Sequence, residues 1–250
     1  MAGRTFAIGD IHGDLTALFR LLSTLPELDA RDTLVFVGDY LDRGPSSAEV
    51  IDYLRRLPSQ TPAQVITLRG NHEDGWLRVV ERGWPEFVLP PANGCLATLR
   101  SYLGRPPPAE LEGATADEMV PLFKGTFFPA PVVEWLRALP FWYEDEHAIY
   151  VHAGLSRGPE GDYQHPSETR IKLALLWCRD KEFVRDYSGK RVIFGHTATK
   201  YLPPELSSYT PHDDEDVWVG PCAIGLDTRC GKGGFLTCVE LPSGRVYESR

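Results

Sequence analysis

"DTLVFVGDYLDRG", residues 32–44, begins as a strand and ends as a loop crowded with polar chemistry. Residues 32–39 are a short apolar run stopped by a glycine, the pattern of a buried strand. The loop that follows delivers Asp39, Asp42 and Arg43. Upstream, "RTFAIGD" (4–10) reads as a strand of the same kind. Between the two, residues 14–25 predict a helix with Leu15, Leu18, Phe19, Leu22 and Leu25 on one face and Asp14 as N-cap. Downstream, Ser46 and Glu49 have capping-box spacing ahead of a stripe of Val50, Ile51, Leu54 and Leu57. "AQVITLRG" (63–70) reads as a third strand. Strand, helix, strand, helix, strand predicts parallel strands joined by right-handed crossovers, an α/β protein.

Residues 84–131 break this rhythm. "WPEFVLPPANG", "GRPPPAE" and "FFPAPVVEW" are punctuated by prolines, with room only for short helices between them. This stretch reads as an insertion covering a sheet edge within one domain spanning 1–250. Further apolar runs follow at 148–154, 190–197 and 222–228. After them, "FLTCVELPSGRVYES" predicts a hairpin turning at Pro242, Ser243 and Gly244. The acidic segment 211–218 reads as a solvated loop.

A chain of 250 residues lies near the upper size for one core, and 42% apolar with 24% charged residues is ordinary for a globular enzyme. The formal charge of −9 argues against binding nucleic acid polymers or anionic membranes non-specifically. An acidic protein that handled phosphates would need a local cationic feature, such as metal ions or clustered arginines. The five cysteines (Cys95, Cys178, Cys222, Cys230, Cys238) contain no C-x-x-C pair. With no secretory pattern at the start and no long apolar run, they predict free thiols in the cytoplasm.

The strand ends carry the functional signal. FAIGDIHG, LVFVGDYLDRG, ITLRGNHE, IYVHAG and VIFGHT each close on a polar or glycine-containing turn. In order they supply Asp10 and His12, Asp39, Asn71, His152 and His196. Each has an ordinary explanation alone: a turn, a capped loop, a satisfied core histidine. Five strand ends of one kind, holding four of the seven histidines, do not. Ligands of open α/β sheets sit beyond the carboxyl ends of the strands, which is where these side chains fall. Two aspartates, one asparagine oxygen and three imidazoles form a mixed N/O set that suits manganese, iron or zinc better than calcium. Six ligands are too many for one catalytic ion but suit two divalent ions sharing a carboxylate, a pair that can activate a hydroxide for in-line phosphoryl displacement.

The motifs GDIHG, GDYLDRG, GNHE, HAG and GHT, in this order, resemble the signature of the phosphoprotein phosphatase family of metallophosphoesterases, with a flavour nearest the bacterial and phage-type serine/threonine phosphatases. The resemblance covers residues 9–197, and an "LDT" and "GG" ending extends it to about residue 237. It implies a central sandwich of two mixed sheets flanked by helices in four αββα layers. It further implies that Asp10, His12 and Asp39 hold one metal ion, that Asp39, Asn71, His152 and His196 hold the second, and that Asp39 bridges. By the same resemblance His72 is the general acid, oriented by Asp42.

Arg43 follows Asp42 and precedes a glycine, so its guanidinium could fork onto two phosphate oxygens. "LALLWCRD" (173–180) resembles the family's W-x-R element and points to Arg179 as a second phosphate-binding arginine, with Arg170 in reserve. Arg229 and Cys230 depart from the small residues usual in relatives, and Arg229 reads as a surface substitution rather than a rim contact.

These readings predict a phosphomonoesterase acting on phosphoserine and phosphothreonine of proteins through a hydroxide bridging two metal ions. The alternative is symmetrical hydrolysis of diadenosine tetraphosphate. That substrate needs a base-stacking slot, for which Trp84, Phe87, Phe127 and Phe128 of the insertion are the sequence candidates. A metal-binding regulatory module without catalysis would show damage to a ligand or to the acid, and none is visible.

Overall fold

A computed structural model describes residues 3–110, 112–180 and 182–250. Its first half alternates as the sequence predicts: β1 (Thr5–Ile8), α1 (Leu15–Thr24), β2 (Thr33–Phe36), α2 (Ser47–Arg56), β3 (Gln64–Thr67) and α3 (Asn71–Arg82). The insertion supplies α4 (Pro85–Val88), α5 (Cys95–Leu103) and α6 (Ala116–Lys124), and α7 (Ala130–Ala138) overlaps its end. The second half gives β4 (Trp142–Glu144), β5 (Ile149–Val151), α8 (Ala174–Trp177), α9 (Phe183–Asp186), β6 (Val192–Phe194), β7 (Trp218–Val219) and β8 (Ala223–Gly225). It closes on the hairpin of β9 (Thr237–Leu241) and β10 (Arg245–Glu248).

Two mixed five-stranded sheets result, ordered β10-β9-β1-β2-β3 and β4-β5-β6-β8-β7. Within them β1, β2 and β3 run parallel, as do β5, β6 and β8. The strand period of two sorts the core. Ala7 and Val35 face the second sheet and meet Tyr150, Ile193 and Ile224 between the sheets. Their neighbours Phe6, Ile8, Leu34 and Phe36 face the α1 and α2 layer. On the far side Ile149, Val151, Val192 and Phe194 pack under Leu175, Phe183 and Val184. The molecule is therefore the sandwich of two mixed sheets, with helices on both outer faces, that the motif resemblance implies.

Three expectations change. Phe19 is 47% exposed and lies edge-on to Tyr53, while Ala17, Leu18 and Leu21 take the buried face of α1. Ser46 precedes α2 but makes no side-chain cap, and Glu49 Oε2 accepts from Ser101 Oγ of α5 (3.0 Å) rather than from the helix start. The insertion packs on the helix layer, with α5 against α2 and α6 against α3, and leaves edge strand β3 half-exposed. Its aromatics serve the core: Phe87 and Phe128 are buried, and Phe127 and Phe128 meet Trp76 edge-on. Trp84 stacks on Phe87 and stays half-exposed, as does Phe127.

The acidic loop is not simply solvated either. Asp213 and Asp216 pair with Arg250, and Asp216 is buried. Arg229, read from the sequence as a surface substitution, is half-buried and tied to Glu215 of the same loop.

Candidate metal centre

Each anticipated side chain leaves the carboxyl end of a parallel strand. Asp10 and His12 follow β1, Asp39 follows β2, Asn71 opens α3 after β3, His152 follows β5, and His196 follows β6. All six are buried. Backbone bonds lash the loops together: Ile11 and His12 N–H donate to Asp39 O (3.0 and 2.8 Å), and Gly44 N–H donates to His12 O (2.9 Å). The backbone bends sharply to do this. His12, Asp39, Asp42, Arg43 and His196 all have positive φ, a region most residues avoid, so the fold holds these loops in place at a local cost. Glycine is required where loops touch. A Cβ on Gly195 would lie 2.0 Å from Asp10 Oδ1, and one on Gly38 (φ +112°) would lie 2.6 Å from Gly70 Cα.

Asp39 is the hub. Its Oδ2 lies 3.5 Å from His12 Nε2 and 3.8 Å from His72 Nε2, and its Oδ1 lies 3.3 Å from His152 Nε2. Asp10 Oδ2 approaches His12 Nε2 at 3.9 Å and accepts from His196 N–H at 3.0 Å. Asn71 Oδ1 sits 2.8 Å from His152 Nε2 and 2.7 Å from His196 Nδ1. Two sets of donor atoms, Asp39 with His12 and His72, and Asp39 with His152 and His196, each fall within 4.8 Å of one another.

The electrostatics suit cations. His12 and His152 face backbone carbonyls through Nδ1, at Leu41 O and Val37 O (both 2.9 Å), which turns each Nε2 inward. Burial pushes the pKa values of His12, His152 and His196 below the ordinary histidine range, reinforced at His12 by Arg43 and at His196 by His152 and Arg179. Neutral imidazoles present lone pairs, the form a metal needs. Those lone pairs converge on acceptor oxygens, and buried His196 Nε2 has no partner. Burial and the charges of Asp227 and Asp39 raise Asp10; burial also works on Asp39, but His152, His72 and His12 outweigh it and hold that carboxyl down. Such a set, with carboxylates and neutral imidazoles facing inward, fits two divalent ions sharing Asp39.

Behind the ligands stands a second pair. His72 Nδ1–H donates to Asp42 Oδ2 (2.6 Å). Asp42 Oδ1 accepts from Trp76 Nε1 (2.8 Å) and Thr98 Oγ1 (2.6 Å), and Asp42 N–H donates to Thr98 Oγ1 (2.8 Å). Phe87 closes one face of the imidazole, edge to ring at 5.6 Å. Arg43 reaches His12 Nε2 with its guanidinium. Arg179 follows α8 on an exposed turn, near enough for its charge to bear on His196; Arg170 is exposed too.

Sequence reasoning missed four residues. Glu73 lies buried under the site and accepts from Asp39, Tyr40 and Gly70 N–H (2.9, 2.8 and 2.9 Å), fixing two ligand loops at once. Burial and Asp39 push its pKa up to about 8. Thr98 of the insertion holds Asp42. Asp227 follows β8 as the candidate ligands follow their strands, and its Oδ2 is buried without a partner among the described residues. The run "CAIGLDT" showed the same strand-end pattern, so Asp227 was findable. Lys232 is half-buried in the turn after it, a turn whose Gly231 packs against the His12 backbone. Burial lowers the Lys232 ammonium while Asp227 opposes it.

Residues 3–200 match the family model described as calcineurin-like phosphoesterase. A symmetrical bis(5'-nucleosyl)-tetraphosphatase of Dechloromonas aromatica (strain RCB) is 34% identical, covering 98% of this chain and 95% of its own. A protein of the same name from Coxiella burnetii (strain Dugway 5J108-111) is 31% identical over 70% of this chain, which spans 47% of that relative's length. Among solved structures, a candidate diadenosine tetraphosphatase superposes with a TM-score of 0.58 over 99% of this chain and 93% of its own, at 24% identity.

Proposed function

The chain belongs to the calcineurin-like phosphoesterase family, and from that premise we propose that it splits diadenosine tetraphosphate symmetrically, adding one water across the central anhydride to give two ADP. The chemistry rests on one observation: six buried side chains from five strand ends converge around Asp39. The substrate class rests on the Dechloromonas relative, matched over nearly the full length of both chains. This reverses the sequence-based order of preference, which put phosphoproteins first.

Asp10, His12 and Asp39 would hold one ion, and Asp39, Asn71, His152 and His196 the other. When bound, the two ions supply Lewis-acid polarisation of a phosphoryl oxygen and a water acidic enough to attack phosphorus. The chain's own residues do the rest. Arg43 and Arg179 neutralise and orient phosphate oxygens, the arginine fork suiting two oxygens at once. Lys232 adds a third positive charge at the mouth of the His12 loop. Together they meet the need for a local cationic feature in a chain of net charge −9. Asp42 keeps the proton of His72 on Nδ1, so Nε2, 3.8 Å from Asp39 Oδ2, faces the reacting phosphate and can pass a proton to the departing oxygen.

Incubation of the manganese-loaded protein with diadenosine tetraphosphate, followed by ion-exchange chromatography, should yield ADP alone. ATP with AMP would contradict symmetrical cleavage. Faster phosphate release from a phosphoserine peptide would restore the phosphoprotein reading.

A further inference from the structure

We propose that the cavity of about 650 Å³ beside the candidate metal centre is the seat of one nucleoside of the substrate, with Tyr201 as the stacking platform. The inference rests on the dinucleotide reading above and names the subsite that reading needs. Of the insertion aromatics, Phe87 and Phe128 are buried, Phe127 packs on Trp76 and half-exposed Trp84 already stacks on Phe87, so Tyr201 offers the more exposed ring.

Position argues first. The cavity wall includes Ala153 and Thr197, the residues directly after ligands His152 and His196, and Arg179. A phosphate chain leaving the histidines past exposed Arg179 would therefore lead toward this cavity. Size and lining argue next. The volume falls within the roughly 300–1,000 Å³ typical of small-molecule sites. Its floor is apolar, from Phe183 and Leu202 of the outer core cluster. Tyr201 stands at the rim with 68% of its surface exposed, an unusual placement for an aromatic ring with no core role. Lys200 Nζ lies over one face of that ring, 5.4 Å from its centroid, and pairs with Glu215 Oε1 at 3.5 Å, so a base would stack on the opposite face. Stacking on an aromatic ring tolerates any base, so this subsite recognises a nucleoside as a class rather than one base edge.

Titration calorimetry on the manganese-loaded protein separates the nucleoside from the phosphates by comparing ADP with inorganic pyrophosphate. The parent should bind ADP about tenfold tighter than pyrophosphate, the order expected of one stacked base. Tyr201→Ala should shrink that gap to below about threefold, and Tyr201→Phe should keep it. Equal affinities in the parent, or an undiminished gap in Tyr201→Ala, would overturn the inference. The two readings fail separately. A parent that makes ADP from the dinucleotide yet shows no nucleoside preference loses only the subsite. One that makes no ADP yet shows a Tyr201-dependent gap keeps the subsite as a nucleotide site and loses the substrate.

Discussion

His72 gives one ring nitrogen to Asp42 and turns the other toward the ligand pocket, so its value depends on how badly the leaving group needs a proton. A serine alkoxide leaves poorly without one, whereas ADP leaves as a stabilised phosphate. His72→Asn should therefore slow phosphoserine-peptide hydrolysis by about 10²–10⁴-fold and dinucleotide cleavage much less, measured as kcat on each substrate. Equal losses would contradict the acid role. Thr98→Val removes both of Thr98's bonds to Asp42, leaving the one from Trp76, and should lower kcat about tenfold with the fold intact by circular dichroism. Lys232→Met should raise KM for the dinucleotide about fivefold at low salt, with the difference shrinking as ionic strength rises. An unchanged KM at low salt would remove Lys232 from phosphate binding. The six candidate ligands and His72 were legible because each sits beside a glycine or polar turn at the end of an apolar run. Thr98 and Glu73 were not, because their roles come from neighbours 56 and 33–34 residues away. Local sequence carries no trace of such pairings.

The insertion is an element with its own electrostatic lock. Glu118 at the start of α6 is buried and accepts from Arg100 Nε (2.9 Å) and Arg105 Nη1 (3.0 Å). Arg100 bridges further to Glu112 (2.7 Å). The Arg100 hydrogen bond leads the lowering of Glu118's pKa to about 2. A carboxyl depressed in the folded state stabilises the protein fully above its unfolded pKa, near 4.5, and loses that contribution as pH falls through about 2. The contribution is roughly 2–3 kcal/mol. Urea unfolding midpoints should fall between pH 4.5 and 2.5 in the parent, and fall less in Glu118→Gln, which should already be weaker at pH 7. Parallel pH profiles would show that Glu118 is not a principal source of the acid sensitivity. Elements were legible where a stripe faced a layer, as with Val50, Ile51 and Leu54 of α2. They were misread where a tertiary partner intervened. Glu49 pairs with Ser101, and Phe19 packs on Tyr53 of α2 at the surface while Leu21 takes the buried face.

At the scale of the molecule, two mixed sheets bring strand ends separated by up to 186 residues into one place; His196 N–H donates directly to Asp10. Alternating βα order made the parallel half-sheets readable. The stacking of one sheet on the other came only with the motif resemblance, since apolar runs do not say which faces meet. Substrate was the least legible property, because both readings share the same ligands and differ in what lies beside them.

On the reading proposed above, these strand ends cage two divalent ions around Asp39, which anomalous diffraction from crystals grown with manganese would reveal. Two peaks should flank Asp39, one beside Asp10 and His12 and the other beside Asn71, His152 and His196, and both should vanish in Asp39→Ala. A single peak elsewhere, or none, would contradict it.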